Sequence, residues 1–450
     1  MMIPGQKGRE TWGSKFGFIL AAAGSAIGLG NIWRFPFVLG ENGGFAFLLI
    51  YVLCVILIGL PIMGAEMVIG RGGKKNPVGA FRALLPGTPW WIVGAIGVLT
   101  GLIILSYYSV IAGWSLAYLI KSLTGFVSTL TSPEAAENAF NGFVGNSFQV
   151  VLYHFLFMIV TILVVSQGIK NGIERWSKIL MPTLFILLIL LIFRSITLPG
   201  SSEGLKFLFT PDFGKLNGDV ILTAMGQAFY SLSLGMGVMI TYGSYLDRKA
   251  NLFSSTVSVA GLDMGIAILS GIAIFPAVFA MGMAPEGGEG LTFIVLPLVF
   301  NQLPMGGPLS TLFFLLLTIA ALTSAISLLE VLVSFATDEL KWVRSRATII
   351  MAVLAFIVGV PSALSFGLWE NVDVFGLSFF RLADFLTANI LLPIGGICIA
   401  VFAGWAWGRA VKDEMLEGSK SDKLYKVWLW SVRILAPLAV SIIFISNLLP

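Results

Sequence analysis

Two short runs interrupt the apolar stretches of this chain with residues that a helix does not favour. One is Gly24-Ser25-Ala26-Ile27-Gly28-Leu29-Gly30-Asn31, the other Ser231-Leu232-Ser233-Leu234-Gly235-Met236-Gly237. Each glycine costs roughly 1 kcal/mol in a helix interior relative to alanine. Glycines that only let helices pack closely recur on one face at a spacing of four. Gly28 and Gly30, like Gly235 and Gly237, point to opposite faces, as befits unwound backbone. In lipid, unwound backbone is tolerated only where it lines a cavity or binds something. Its carbonyls, with hydroxyl and amide oxygens, are hard ligands for a hard cation. Its amides, at the start of a half-helix, suit a carboxylate. The first run therefore offers a place for both a cation and an anion.

Further polar residues lie inside apolar runs: Asp263 in one, Thr323, Ser324 and Ser327 in another. An ionisable residue within a membrane segment is a functional candidate by default, whereas a hydroxyl there also bonds back to its own helix. His154 has no second ligand-type neighbour and reads as an incidental polar residue near a helix end. Cys54 and Cys398 sit in separate apolar runs and form neither a disulfide framework nor a metal motif. The chain has no HExxH string and no cluster of nucleophile with base, so it does not read as an enzyme.

The elements that hold these residues follow from composition. Of 450 residues, 57% are hydrophobic and 11% charged, against about 25% charged in soluble domains. So few charges cannot cover a soluble surface, and a bilayer crossing takes about 20 apolar residues. Eleven apolar segments run over 16–39, 44–70, 91–122, 147–167, 176–198, 219–245, 254–283, 309–339, 347–366, 377–407 and 427–447. The expectation is an all-α membrane protein forming one transporter domain over 1–450. The first run, from Phe16, has no small-residue cleavage site and does not read as a signal peptide. With the N-terminus cytoplasmic, twenty lysines and arginines fall on the inside and four outside, as the positive-inside rule requires. An odd segment count then puts the C-terminus outside, and the basic net charge needs no nucleic-acid partner. The interrupted segments are the first and the sixth. They begin two groups of five, 16–198 and 219–407, and because five is odd the second group is inserted upside down. That predicts a 5+5 inverted repeat with discontinuous helices 1 and 6 at the midplane, followed by an extra helix at 427–447.

The residues also resemble a known family. Gly24 to Pro36 is similar to the first-helix signature of the neurotransmitter:sodium symporters, as is Glu41-Asn42-Gly43-Gly44 after it. Gly226-Gln227-Ala228-Phe229-Tyr230-Ser231-Leu232-Ser233-Leu234-Gly235 resembles their sixth helix. The likeness covers nearly the whole chain and is greatest to bacterial members with eleven helices. It implies a symporter in the cell membrane that imports hydrophobic L-amino acids with Na+ at two sites, with no obligatory protein partner beyond membrane lipid. One sodium would be held by Ala26, Asn31, Ser231, Asp263 and the substrate carboxylate. The other would be held by the carbonyls of Gly24, Ile27 and Ala320 and the hydroxyls of Thr323 and Ser324. The substrate carboxylate would meet Leu29 and Gly30 amides and Tyr108. Its amino group would lie near Ser25, Ala26, Tyr230, Ser231 and Ser233, and its side chain among Leu29, Ile104, Tyr108, Tyr230, Met236 and Leu328. Arg34 and Asp384 would close the outer side, with Tyr108 and Tyr230 as the lid. Arg9 and Asp338 would latch the inner side, helped by Trp12 and Tyr245.

Two departures matter. Amine-carrying members have aspartate at the Gly28 position, so glycine implies a substrate that brings its own carboxylate. Animal members use chloride and have asparagine at the Asp263 position, so a fixed carboxylate implies independence of chloride. After sodium leaves, Asp263 would take up a proton and carry it outward. Two other readings stand beside the symporter. A channel requires a continuous polar pore, and a sensor of the same fold would bind without transporting.

Overall fold

The structure is a computed structural model that describes residues 9–210, 212–282, 291–419 and 421–448. Lys7, Lys420 and the 283 end of segment 7 lie outside the described residues.

Among the described residues, nine helices are long and apolar enough to cross a membrane: Phe45–Gly73, Trp91–Leu123, Ser147–Val165, Ile169–Ile196, Leu252–Ala280, Gly306–Asp338, Arg344–Leu364, Phe379–Ala406 and Asp422–Ser446. A tenth crossing is the pair Lys15–Ala26 and Gly30–Glu41, bent by 52°. Segment 6 is divided further, into Gly218–Ser231 and Val238–Ser244. Segments 5 and 11 start seven and five residues before the expected boundaries, at Ile169 and Asp422. Hydropathy places a boundary at the polar residues Lys170 and Glu174, whereas the backbone continues through them as a π-helical turn over Ile169–Glu174. Short helices such as Pro133–Val144 and Ser201–Phe209, and a two-residue hairpin pairing Asp373–Val374 with Leu377–Ser378, fill the connections.

Burial sorts the helices. Of the apolar window in Gly306–Asp338, 83% lies inside the protein, against 33% in Asp422–Ser446. The first is a central post and the second a peripheral helix. Phe148, Leu163, Ile186, Phe193, Ile357 and Leu438 project outward from peripheral helices, an apolar exterior that lipid can cover.

The two breaks arise differently. In segment 6, Ser233, Gly235 and Gly237 all have positive φ (53°, 83° and 75°), a region costly for most L-residues, so the chain truly unwinds. In segment 1, neither Gly28 nor Gly30 has positive φ. The turn comes from Ile27, which is extended at φ −74°, ψ 103°. Gly28 supplies room instead: a Cβ there would collide with the Ser324 hydroxyl and lie 2.7 Å from the Tyr108 oxygen.

Candidate functional site

The face that carries Arg9 is here termed inner and the opposite face outer. Both breaks meet Leu252–Ala280 at Asp263, which is fully buried. The Asn31 side-chain amide donates to Asp263 Oδ1 (2.7 Å) and to Ser231 Oγ (3.1 Å). Ser231 Oγ donates to Asp263 Oδ2 at 2.8 Å. Thus Asn31, Ser231 and Asp263 form one knot, and Ala26 lines the pocket beside it. Tyr51, which the sequence reading missed, donates to the same carboxylate and to Ser231 (3.4 and 3.3 Å). The donor set is all oxygen with one formal charge.

A second oxygen cluster lies between segments 1 and 8. Thr323 Oγ1 donates to the carbonyls of Ala320 (3.0 Å) and Ile27 (3.5 Å). Ser324 Oγ donates to the carbonyls of Ser25 (3.0 Å), Ile27 (3.4 Å) and Gly24 (3.5 Å). Thr323 also bonds back to its own helix, while Ser324 reaches across to segment 1 and to Tyr108. This set is neutral, compact and drawn from the ligand types that hard cations accept.

Between the clusters lies a small pocket lined by Ser25, Ala26, Gly30, Ile104, Tyr108, Tyr230, Ser231, Ser233, Met236 and Leu328, with a volume of about 30 Å³. Tyr108 accepts from the Leu29 amide at 3.1 Å, and Ser233 Oγ donates to the Ser25 carbonyl at 3.3 Å. The Leu29 side chain departs from expectation. It lines a separate outer cavity of about 220 Å³ rather than the pocket, because the break turns it outward.

The gates differ in closure. On the inner side Arg9 reaches Asp338 at 2.6 Å, donates twice to Ser244 and sits 4.7 Å over the Tyr245 ring. Trp12 donates to the Tyr242 carbonyl at 3.0 Å. On the outer side Arg34 and Asp384 line the same cavity, but no ion pair within 4 Å joins them among the described residues. Arg34 lies 4.6 Å over the Tyr230 ring, and Asp384 accepts from Tyr107 at 3.2 Å.

Two further buried groups support the breaks and went unread in the sequence. Glu66 accepts from the Gly235 amide at 2.7 Å, holding the unwound turn of segment 6. Gln227 donates to the Gly30 carbonyl at 3.1 Å, tying the two outer half-helices together. A buried glutamate mid-segment is itself a signal.

The profile of the sodium:neurotransmitter symporter family matches residues 9–142 and 144–450. The chain belongs to this family. Similar proteins include an uncharacterized sodium-dependent transporter of Bacillus subtilis, 43% identical over 97% of both chains, and one of Haemophilus influenzae, 38% identical over 99% of this chain and all of the other. The crystal structure of MhsT in complex with L-phenylalanine is 48% identical, covers 98% of this chain and all of that one, and has a TM-score of 0.90. The fold is therefore that of the sodium:neurotransmitter symporters, which are multi-pass, sodium-dependent membrane transporters and not enzymes. One nucleophile-elbow string does occur, Gly200-Ser201-Ser202-Glu203-Gly204. It opens a short outer helix, where its central serine, Ser202, is exposed. His154 is packed elsewhere, against Ser109.

Proposed function

We propose that this symporter imports hydrophobic L-amino acids together with two sodium ions, independently of chloride, across the cell membrane. The observation that carries the reading is the buried knot of Asp263, Asn31 and Ser231 beside a pocket closed by Tyr108 and Tyr230. The first sodium binds at that knot and at the Ala26 carbonyl, where the substrate carboxylate completes the oxygen set. The second binds at the Thr323 and Ser324 cluster. The Leu29 and Gly30 amides and Tyr108 orient the carboxylate. Ile104, Met236 and Leu328 receive the side chain. The lack of space beside Gly28 supports a substrate that supplies its own carboxylate, since no aspartate fits there. L-Phenylalanine on MhsT is in keeping with this substrate class.

Eleven crossings, with inverted repeats over 16–198 and 219–407, give the two halves that rock about this site. The N-terminus is cytoplasmic and the C-terminus extracytoplasmic, following the lysine and arginine bias. A channel is disfavoured because the pocket is small and the inner side is latched.

The test is uptake into proteoliposomes under an imposed sodium gradient, with each of the twenty amino acids as competitor. Saturable, sodium-driven accumulation of L-phenylalanine or L-leucine is the expected result. Binding without accumulation would identify a sensor, and flux that does not saturate would identify a channel.

A further inference from the structure

Ser327 stands out in the sequence as a hydroxyl inside an apolar run, yet neither the cation clusters nor the pocket lining uses it. It lies on the central helix Gly306–Asp338 and is 1% exposed. Three hydrogen bonds meet at its oxygen. Ser327 Oγ donates to the Ser324 carbonyl, one turn back, at 2.8 Å. Ser25 Oγ lies 2.6 Å away, and the Tyr242 hydroxyl also bonds the Ser327 side chain. A serine hydroxyl carries one proton and two lone pairs. With that proton on the Ser324 carbonyl, Ser25 and Tyr242 must both donate, and the Ser327 oxygen is fully used.

The two donors come from elements that move when the inner side opens. Ser25 lies at the end of the inner half of segment 1, Lys15–Ala26, and lines the pocket. Its carbonyl accepts from Ser324 and from Ser233 in the unwound turn of segment 6. Tyr242 is buried on the inner half of segment 6, Val238–Ser244. Its carbonyl accepts from Trp12 at 3.0 Å, beside the Arg9 latch. Glu330, the charged group near Tyr242 on the central helix, is already engaged by Tyr245 at 2.7 Å and Arg344 at 2.5 Å. A substrate leaving the pocket inward has to pass between these half-helices and the central helix. Both bonds to Ser327 are therefore made when the inner side is closed and broken when it opens.

We propose that Ser327 is a positioning residue for inner closure, docking the inner halves of segments 1 and 6 on the central helix by accepting one hydroxyl from each. It touches neither substrate nor sodium. The contacts around Arg9 close the inner surface, and Ser327 closes the layer between that surface and the pocket. Only contacts that differ between two states shift their equilibrium, and these two do. A buried donor left without an acceptor is penalised, whereas removing donor and acceptor together can be nearly neutral. Loss of the Ser327 oxygen orphans two hydroxyls in the closed state alone, because water reaches them in the open one. This role rests on the proposed inward exit of substrate from the pocket.

Spin labels on Lys15→Cys and Lys341→Cys, with Cys54 and Cys398 replaced by alanine, measure the distance across the inner side in sodium. Ser327→Ala should raise the long-distance population about tenfold. Tyr242→Phe alone should change it little, since Ser327 keeps Ser25 as a donor. Adding Tyr242→Phe to Ser327→Ala removes one orphaned hydroxyl and should bring the population severalfold back toward the wild type. A second truncation would only deepen a packing defect, so recovery separates a lost hydrogen bond from a lost contact. A Ser327→Ala distribution identical to the wild type would overturn the inference. So would a double variant as open as Ser327→Ala or more open. Size-exclusion elution and sodium-dependent binding of L-phenylalanine are recorded on every sample, and Ser327→Ala should retain both. Wild-type protein that binds no L-phenylalanine would defeat the proposed substrate, while the distances would still decide the role of Ser327.

Discussion

Asp263 decides the charge balance of the site. Two sodium ions bring two positive charges into a low-dielectric interior, and the substrate carboxylate offsets one. An uncompensated charge there costs several kcal/mol, and Asp263 supplies the second negative charge without an anion from solution. Asp263→Asn should abolish uptake in gluconate and recover part of it in chloride, since Tyr51 and Ser231 already aim hydroxyl groups at the carboxylate position. Wild-type transport that stops on replacing chloride would contradict this, as would an asparagine variant fully active in gluconate. At the other cluster, Thr323→Ala with Ser324→Ala removes two oxygens. Contacts to a charged group are worth about 1.5–3 kcal/mol, so apparent sodium affinity should fall at least tenfold with the fold intact. An unchanged sodium titration would reassign the site. Met236 lines the pocket, and methionine repacks around different shapes. Met236→Phe should therefore impair tryptophan-sized substrates far more than alanine-sized ones in competition assays, and an equal loss for both would show that Met236 is only core filling. Asp263, Asn31 and the hydroxyls were legible because a polar residue inside an apolar run is conspicuous by itself. Tyr51 and Gln227 were not, because their roles depend on partners 180 and 197 residues away.

Among the elements, the two interrupted helices were legible from glycine, but the reasons behind them were not. The same Gly-x-Gly spelling serves left-handed backbone in segment 6 and free space in segment 1, and only tertiary packing separates these. The start of segment 5 was likewise hidden by its charges. There the structure shows an exchange of caps. Glu10 accepts from the Ile169 amide at 2.6 Å at the start of segment 5. Glu174, in the first turns of that helix, accepts from the Gly13 amide at 2.6 Å and from Ser14 at 2.9 Å at the start of segment 1. Each helix start is thus held by an acid from the other chain segment, so withdrawing the N-terminal arm uncaps both. Pro182 already removes a backbone donor further along segment 5. Amide hydrogen exchange at residues 173–181 should rise when sodium is removed and the inner side opens. Glu10→Ala, which deletes a cap worth about 1 kcal/mol, should raise exchange at 169–174 even in sodium. Identical exchange with and without sodium would remove the idea that this helix unwinds.

Across the whole molecule, hydropathy carried most of the helix positions, because bilayer thickness sets segment length independently of sequence detail. The connecting helices and the 373–378 hairpin escaped, since they are short, mixed in polarity and outside that constraint. What the architecture adds is an imbalance between its two ends. On the outer side Arg34 lies against an aromatic ring and, among the described residues, no ion pair joins it to Asp384, whereas the inner side is held by a group of contacts around Arg9. An exposed ion pair alone is worth about 0–1 kcal/mol. Arg9, however, also holds Ser244 and the Tyr245 ring, and Asp338 accepts from the Asn76 amide at 2.7 Å. Losing the whole set should move the equilibrium by more than one surface pair would. A change of ~1.4 kcal/mol is tenfold in population, and only contacts that differ between the two states shift it. Arg9→Ala should therefore raise the inner-open population about tenfold, and the sodium-bound protein should no longer stay latched. Spin labels on Lys15→Cys and Lys341→Cys, with Cys54 and Cys398 replaced by alanine, would report it. The variant should show a longer inter-label distance in sodium, with weakened accumulation despite intact L-phenylalanine binding. A distance distribution identical to that of the wild type would show that the inner side is closed by packing of Trp12 and its aromatic neighbours rather than by the arginine.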